Sequence, residues 1–322
     1  MSLNVREDLF RQRIDGRLTP DLLGEIVTRA LNRRSAVRSA RILTGGCLNR
    51  VLALELESQP EELVLKISPE VGDRSLEREG KVLDCFRRSS RLAVPEPYLV
   101  DVSGELLPGS FLVMSLLPGR VMHEAVGSLN ATQRNRILRQ ITSDVVELHT
   151  RTAVGFGGVE QSVAERSDWP SFWIPRFQRV LERVQASGVV PPRFLEEARR
   201  VSEHFPRLLD VGSRSTMTHY DIWSGNVLVT ADAAGARVSG YIDIPGFYAD
   251  YARELSFMEM FGIADARFYA TYRESHPMDD GWEIRKNIYN LKMHLTHVTM
   301  YPQEAYYRQG AAACLDFIRR RV

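Results

Sequence analysis

Thr218-His219-Tyr220-Asp221-Ile222-Trp223-Ser224-Gly225-Asn226 is the stretch on which the reading of this chain turns. It holds His-x-Asp, and an asparagine five positions after the aspartate. A carboxylate at Asp221 can accept the proton of an attacking hydroxyl. A carboxamide a turn later, at Asn226, can hold a divalent cation against phosphate oxygens. Val227-Leu228-Val229 follows at once, then small residues over 232–236, then an apolar run over 238–242. That pattern is a hairpin returning the chain beside its own start, which is expected to set Asp243 next to Asn226 as a second cation ligand. Taken singly, each residue has an ordinary explanation, since an aspartate in a loop commonly forms a turn or caps a helix. Only the joint pattern points to chemistry. His219 is expected to be structural, bonded to backbone.

Farther toward the N-terminus, Leu63-Val64-Leu65-Lys66-Ile67 reads as a strand with a lysine among apolar neighbours. An ammonium there is unfavourable unless it meets an anion. The chain writes arginine almost everywhere: of 42 basic residues only Lys66, Lys81, Lys286 and Lys292 are lysines. A compact point charge at Lys66 therefore suggests phosphate, the competing reading being a lysine that snorkels from an edge strand. On the helix expected over 73–88, Glu79 shares a face with Val82, Leu83 and Phe86 and is the expected partner of Lys66, whereas Glu77 points to water. Gly45-Gly46-Cys47-Leu48-Asn49 joins two strands ahead of Lys66, where glycines let backbone amides approach phosphate. Two glycines between strands otherwise mark only a turn. The segment is neither a Walker A loop nor a dinucleotide-binding fingerprint.

The 322 residues carry 42 basic and 41 acidic side chains, a formal net charge of +1. That balance disfavours a nucleic-acid or membrane-surface partner. Cys47, Cys85 and Cys314 are too few and too scattered for a disulfide framework or a zinc site, and suit a reducing cytoplasm. No apolar run approaches the roughly 20 residues of a membrane span, and the charged start is no secretory signal. Strand patterns over 40–43, 51–56, 63–67, 98–102 and 111–114 give way at Pro118-Gly119 to a mainly helical remainder. The expected organisation is a helical extension over 1–38, a β-rich nucleotide-binding lobe over 39–117 and a helical catalytic and substrate-binding lobe over 118–322. The fold class is α+β, a small antiparallel sheet lobe with a larger helical lobe and a cleft between them.

The loop from His219 to Asn226 has the order and spacing of a protein-kinase catalytic loop. Together with the Gly-Gly loop, Val-Leu-Lys at Lys66, Arg-Glu at Glu79, Val-Pro-Glu-Pro at 94–97, Val-Met-Ser-Leu-Leu-Pro-Gly at 113–119 and Leu-His at His149, it resembles the aminoglycoside phosphotransferase superfamily. The resemblance implies a bilobal protein-kinase-like fold with Asp221 as catalytic base and Asn226 and Asp243 on magnesium. It also implies Lys66 on the nucleotide phosphates, and Met114 and Leu116 beside the adenine. The second half is similar to the fructosamine (ketosamine) kinases. Asp221-Ile222-Trp223-Ser224-Gly225-Asn226 resembles their Asp-Leu-Trp-x-Gly-Asn, and Phe247-Tyr248, Phe261-Gly262, Phe268 to Tyr272, Tyr289 and His297 follow their later pattern. Cys47 falls where those kinases often carry a cysteine. Three departures concern substrate identity more than phosphoryl transfer: Tyr220 in place of glycine, Ile244-Pro245 after Asp243, and Thr296 in place of asparagine.

The resemblance implies an ATP- and Mg2+-dependent small-molecule kinase that phosphorylates a substrate hydroxyl, with a ketosamine-type sugar amine as the first candidate. An aminoglycoside or other amino-alcohol phosphotransferase is the alternative on the same scaffold. A non-catalytic nucleotide-binding pseudokinase is a third, disfavoured because Lys66, Asp221, Asn226 and Asp243 are all retained. No Asp-Phe-Gly or Ala-Pro-Glu segment marks a protein kinase. Trp223, Tyr248, Tyr251 and His297 are the candidate substrate contacts, with core packing the competing role for the aromatics. Asp250, Glu254 and Glu259 are open to a substrate amine or to a solvated helix face, with a cap or arginine-partner role also open for Glu254. The oligomeric state is left open.

Overall fold

A computed structural model describes residues 10, 12–43, 49–232 and 235–322. In chain order the elements begin with helix α1 (Pro20–Leu31) and strands β1 (Val37–Ile42), β2 (Arg50–Leu56) and β3 (Glu62–Ser68). Then come α2 (Arg74–Ser89), β4 (Pro97–Asp101), β5 (Ser110–Ser115), β6 (Arg120–Val121) and α3 (Ala131–Leu148). β7 (Thr152–Val154), β8 (Gly157–Gly158), α4 (Trp169–Ser187), α5 (Pro192–Ser202) and β9 (Arg214–Thr218) follow. The remainder is β10 (Val227–Asp232), β11 (Gly235–Tyr241), β12 (Phe247–Ala249), α6 (Tyr251–Met260), α7 (Ala266–Ser275), α8 (Trp282–Met300) and α9 (Ala305–Arg319). After α5 ends at Ser202, a separate short turn of helix follows over Phe205–Leu208.

The chain divides into two units, Met1–Ser128 with Val227–Ile244, and Leu129–Asn226 with Pro245–Val322. In the first unit, a five-stranded antiparallel sheet runs in the order β1-β2-β3-β5-β4 among the described residues. β3 is buried on both faces. Its alternate residues Leu63, Leu65 and Ile67 join Leu52, Leu54, Phe111 and Val113 in one apolar cluster. α1 covers that cluster with Leu23, Ile26 and Val27. The helix is started by Thr19, whose Oγ1 accepts from the Leu22 amide, and by Pro20 at its first position. The period of two then turns Lys66 to the opposite face, where α2 packs on β4 and β5.

The first unit also takes in a second sheet, β11-β10-β6. Gly119 makes this possible. With φ +104°, it lies where a Cβ would come within 2.4 Å of the Val229 carbonyl oxygen, so only glycine lets the chain enter β6 beside β10.

The second unit is helical around a small sheet ordered β7-β9-β12-β8. α3 opens with a reciprocal capping box between Asn130 and Gln133. Trp169, Phe172, Trp173 and Phe177 of α4 fill the core with Phe205 and Tyr289. α8 packs against α4, α6 and α9. No helix among the described residues is long and apolar enough to cross a membrane.

Candidate active site

In the first unit the face of β3 turned toward α2 holds one charged cluster. Lys66, only 8% exposed, donates from Nζ to Glu79 Oε1 at 2.8 Å and to Asp243 Oδ1 at 2.6 Å. Burial alone would lower the lysine's pKa, but the Glu79 and Asp243 carboxylates more than reverse this and hold the ammonium charged. Glu77, one turn-face away, pairs instead with Lys81 at the surface. Lys66 is thus no snorkelling edge lysine. It sits on a central strand and is answered by two carboxylates. The hairpin register pairs Val227 with Tyr241, so β11 delivers the chain to Asp243, which is held at φ +52° between half-buried Ile242 and buried Ile244. Met114 pairs with Val64 in the register of β5 and β3 and is buried, and Leu116 lies just past the strand, half-buried. Asn49 precedes β2. Gly45, Gly46 and Cys47 lie outside the described residues.

In the second unit the loop after β9 is built around Asp221. The Asn226 side-chain amide donates to the Asp221 carbonyl oxygen at 3.0 Å and to Asp221 Oδ2 at 2.7 Å. Those bonds fix the carboxylate and leave the Asn226 amide oxygen as the remaining donor atom for a cation. Buried Ile222 anchors the loop. His219 is fully buried and its Nδ1 accepts from the Asp221 amide at 3.3 Å, the backbone-holding role expected of it. Gly225 has its place because of Trp223: a Cβ there would lie 2.3 Å from the indole ring.

The loop is held from behind by residues whose role was not evident. Tyr220 adopts φ +80°, a left-handed conformation costly for a side-chain-bearing residue. Its amide donates to Glu254 Oε1 at 2.6 Å, and its carbonyl accepts from Arg253 at 2.6 Å. Glu254 is fully buried and also accepts from His149 Nε2 at 2.8 Å, while His149 Nδ1 meets the Tyr272 hydroxyl at 2.7 Å. Burial works against the Glu254 charge, but the His149 hydrogen bond and the charges of His149 and His219 hold its carboxyl below the usual range.

Three carboxylates left open by the sequence have partners inside the protein. Glu254 meets His149 and the Tyr220 amide, so neither a solvated face nor an arginine partner describes it. Asp250, 3% exposed, accepts from Arg285 Nε at 2.8 Å and from the Tyr289 hydroxyl at 2.5 Å. Glu259 meets the Tyr269 hydroxyl and Lys286. Of the candidate substrate contacts, Trp223 and His297 share Phe261, with ring centroids at 6.2 and 5.7 Å from it. Tyr248 is half-buried on β12, opposite Met217 and Gly157. Tyr251 belongs to another aromatic group, stacked with Trp282 and bonded to Asp279, and burial foremost pushes its hydroxyl up to about 12.

A family model described as fructosamine kinase matches residues 22–320. The mouse ketosamine-3-kinase is 24% identical over 287 residues, covering 82% of this chain and 90% of the mouse protein. A Vibrio vulnificus protein named "probable ketoamine kinase" is 23% identical over 281 residues, covering 86% of this chain and 91% of that one. Among solved structures, the Thermobifida fusca "putative fructosamine-3-kinase" superposes with a TM-score of 0.71 at 21% identity, covering 92% of this chain and 98% of the other.

Proposed function

Because the chain belongs to the fructosamine kinase family, we propose that it transfers the γ-phosphate of ATP to a hydroxyl of a ketosamine, a sugar carrying an amine substituent. The observation that carries this reading is the Lys66 ammonium, held charged by Glu79 and Asp243 on an otherwise apolar strand. In this reading Lys66 engages the nucleotide phosphates, with Glu79 fixing its position, and Met114 and Leu116 flank the base. The phosphate loop would be the glycine-containing segment ahead of β2, ending at Asn49. The division of the chain into a nucleotide-binding lobe over 39–117 and a catalytic lobe over 118–322 belongs to the same proposal.

Asn226 and Asp243 suit a magnesium ion by their chemistry. Both offer hard oxygen donors, and the Asn226 amide N–H groups are already committed to Asp221. A magnesium ion held by these two residues would supply charge neutralisation to the transferring group. Asp221 accepts the proton of the attacking hydroxyl and, locked by Asn226, holds that hydroxyl in line. Most of the rate in such a reaction comes from positioning and fixed charge. Trp223 and His297, joined through Phe261, supply an apolar wall for the acceptor, as does Tyr248. Three scattered cysteines, too few for a disulfide framework, suit the cytoplasmic setting that belongs to the same proposal.

The test is ATP consumption with magnesium across ketosamines, aminoglycosides and simple amino alcohols. Turnover confined to ketosamines is the expected result. Turnover of aminoglycosides alone overturns the substrate assignment, and a wholly inactive protein that still binds ATP overturns the catalytic one.

A further inference from the structure

Three of the four lysines are answered by carboxylates: Lys66 as described, Lys81 by Glu77, and Lys286 by Glu259 and Glu283. Lys292 is not. Half-buried on α8, its ammonium makes no hydrogen bond or ion pair among the described residues. Its strongest charged neighbours are further cations, Arg253 first, then Arg183, Arg176 and Arg179. The three arginines of α4 recur at helical spacing and form one stripe, on a helix that packs against α8.

Arg253 is the most buried of the group, at 7% exposure. Its guanidinium donates to the Tyr220 carbonyl and to the Met293 sulfur, and lies 3.8 Å from the Tyr220 ring centroid and 5.0 Å from that of Phe257. None of these contacts neutralises it. Among the described residues, Arg176 is the one of the five cations that meets a carboxylate, Glu165 at 3.0 Å.

Gathering unpaired positive charge at a partly desolvated place costs stability. Burial, and then the surrounding guanidinium groups, pull the Lys292 ammonium down to about 7. An anion would reverse both effects. The cluster is also tied to the reaction centre, because Arg253 grips the backbone and ring of Tyr220, the residue directly before Asp221.

We infer that Lys292 and Arg253, with Arg183 and Arg179 at the rim, form a subsite for an anionic group on the acceptor, so that the preferred substrate is a ketosamine bearing a carboxylate or a phosphate. The inference rests on the ketosamine kinase reading above and narrows its substrate.

The experiment compares three acceptors with the full chain and MgATP at fixed ionic strength. One is the fructose adduct of an amino acid with a free α-carboxylate, the second is its uncharged amide, and the third is that amide carrying a phosphate on the sugar. The expected result is kcat/KM about 10- to 100-fold higher for one or both charged acceptors than for the amide, the worth of a charge-assisted hydrogen bond. Which charged form leads identifies carboxylate or phosphate as the source. In Lys292→Met the preference collapses toward unity, and Lys292→Gln, checked for folding by circular dichroism, gives the same collapse. Equal kcat/KM for charged and neutral acceptors in the unmutated enzyme overturns the subsite while leaving the kinase reading intact. If no acceptor turns over, the kinase reading fails. Calorimetry with the carboxylate adduct and with inorganic phosphate then decides the subsite: Lys292-dependent binding upholds it, and absence of binding overturns it.

Discussion

Lys66 Nζ lies 2.6 Å from Asp243 Oδ1, a contact between residues 177 positions apart in the chain. Together with Glu79 it makes a cluster in which one ammonium serves two carboxylates, only one of them well buried. Lys66→Met leaves Glu79 without a counter-charge, at a cost of about 3 kcal/mol at neutral pH, the low end for breaking a buried pair. Burial already raises the Glu79 pKa, so this carboxyl takes up its proton more readily folded than unfolded. The penalty in the variant should therefore shrink as pH falls through that raised pKa. Urea unfolding at neutral and acidic pH checks this, and a loss that grows on acidification contradicts it.

Asp221→Ala should lower turnover by about 10²- to 10⁴-fold, the range for removing a general base, while ADP binding persists. Single-turnover kinetics beside ADP calorimetry separate the two. A folded variant that no longer binds ADP assigns Asp221 a different role.

Glu254 accepts from both the Tyr220 amide and His149 while fully buried. Glu254→Ala orphans both donors and should cost about 2–4 kcal/mol, with a fall in kcat because the backbone of Tyr220 and Asp221 loses its support. The native carboxyl is held below its unfolded value of 4.5. Its contribution is thus present above that value and is lost as pH falls through the folded one. Glu254→Gln should flatten the acid limb of the stability curve, which thermal melts across pH would register.

Tyr220 combines a positive φ with a ring stacked beneath Arg253. Two substitutions separate the backbone from the ring. Both Tyr220→Gly and Tyr220→Ala remove the ring, but only glycine relaxes the backbone, so the glycine variant should be the more stable by about 1 kcal/mol. Equal melting temperatures would show that the left-handed conformation carries no cost here.

Burial first, and then the neighbouring guanidinium groups, pull the Lys292 ammonium down to about 7 from the ordinary lysine value of 10.5. Between those values the unfolded state binds more protons, so stability rises with pH over that window. Lys292→Met should remove the rise and stabilise the protein at neutral pH. Denaturation midpoints across neutral to alkaline pH test the slope.

Local pattern revealed much of this protein. Alternation through β3 and helical spacing in α2 are short-range signals, and they sufficed to choose Glu79 over Glu77 as the partner of Lys66. Long-range choices left no such trace. Nothing near Glu254 in sequence announces His149, 105 positions away. The Asp250, Arg285 and Tyr289 network is likewise assembled by helix packing, so its carboxylate could be read locally only as a charge on a helix. The purpose of the N-terminal helical extension stayed open because its apolar stripe does not state what it covers. In the structure that stripe closes one side of the sheet core. Tyr220 was visible as an unusual residue, but its dihedral angle and the arginine above it were not.

The segment Val227–Ile244 contributes two strands to a unit whose other residues all precede Leu129. A fragment ending at Ser128 would lack the strand beside β6, and a fragment starting at Leu129 would carry a hairpin severed from its sheet. Limited proteolysis or gene splitting at that boundary should consequently yield two insoluble halves, each rescued only by co-expression of the other.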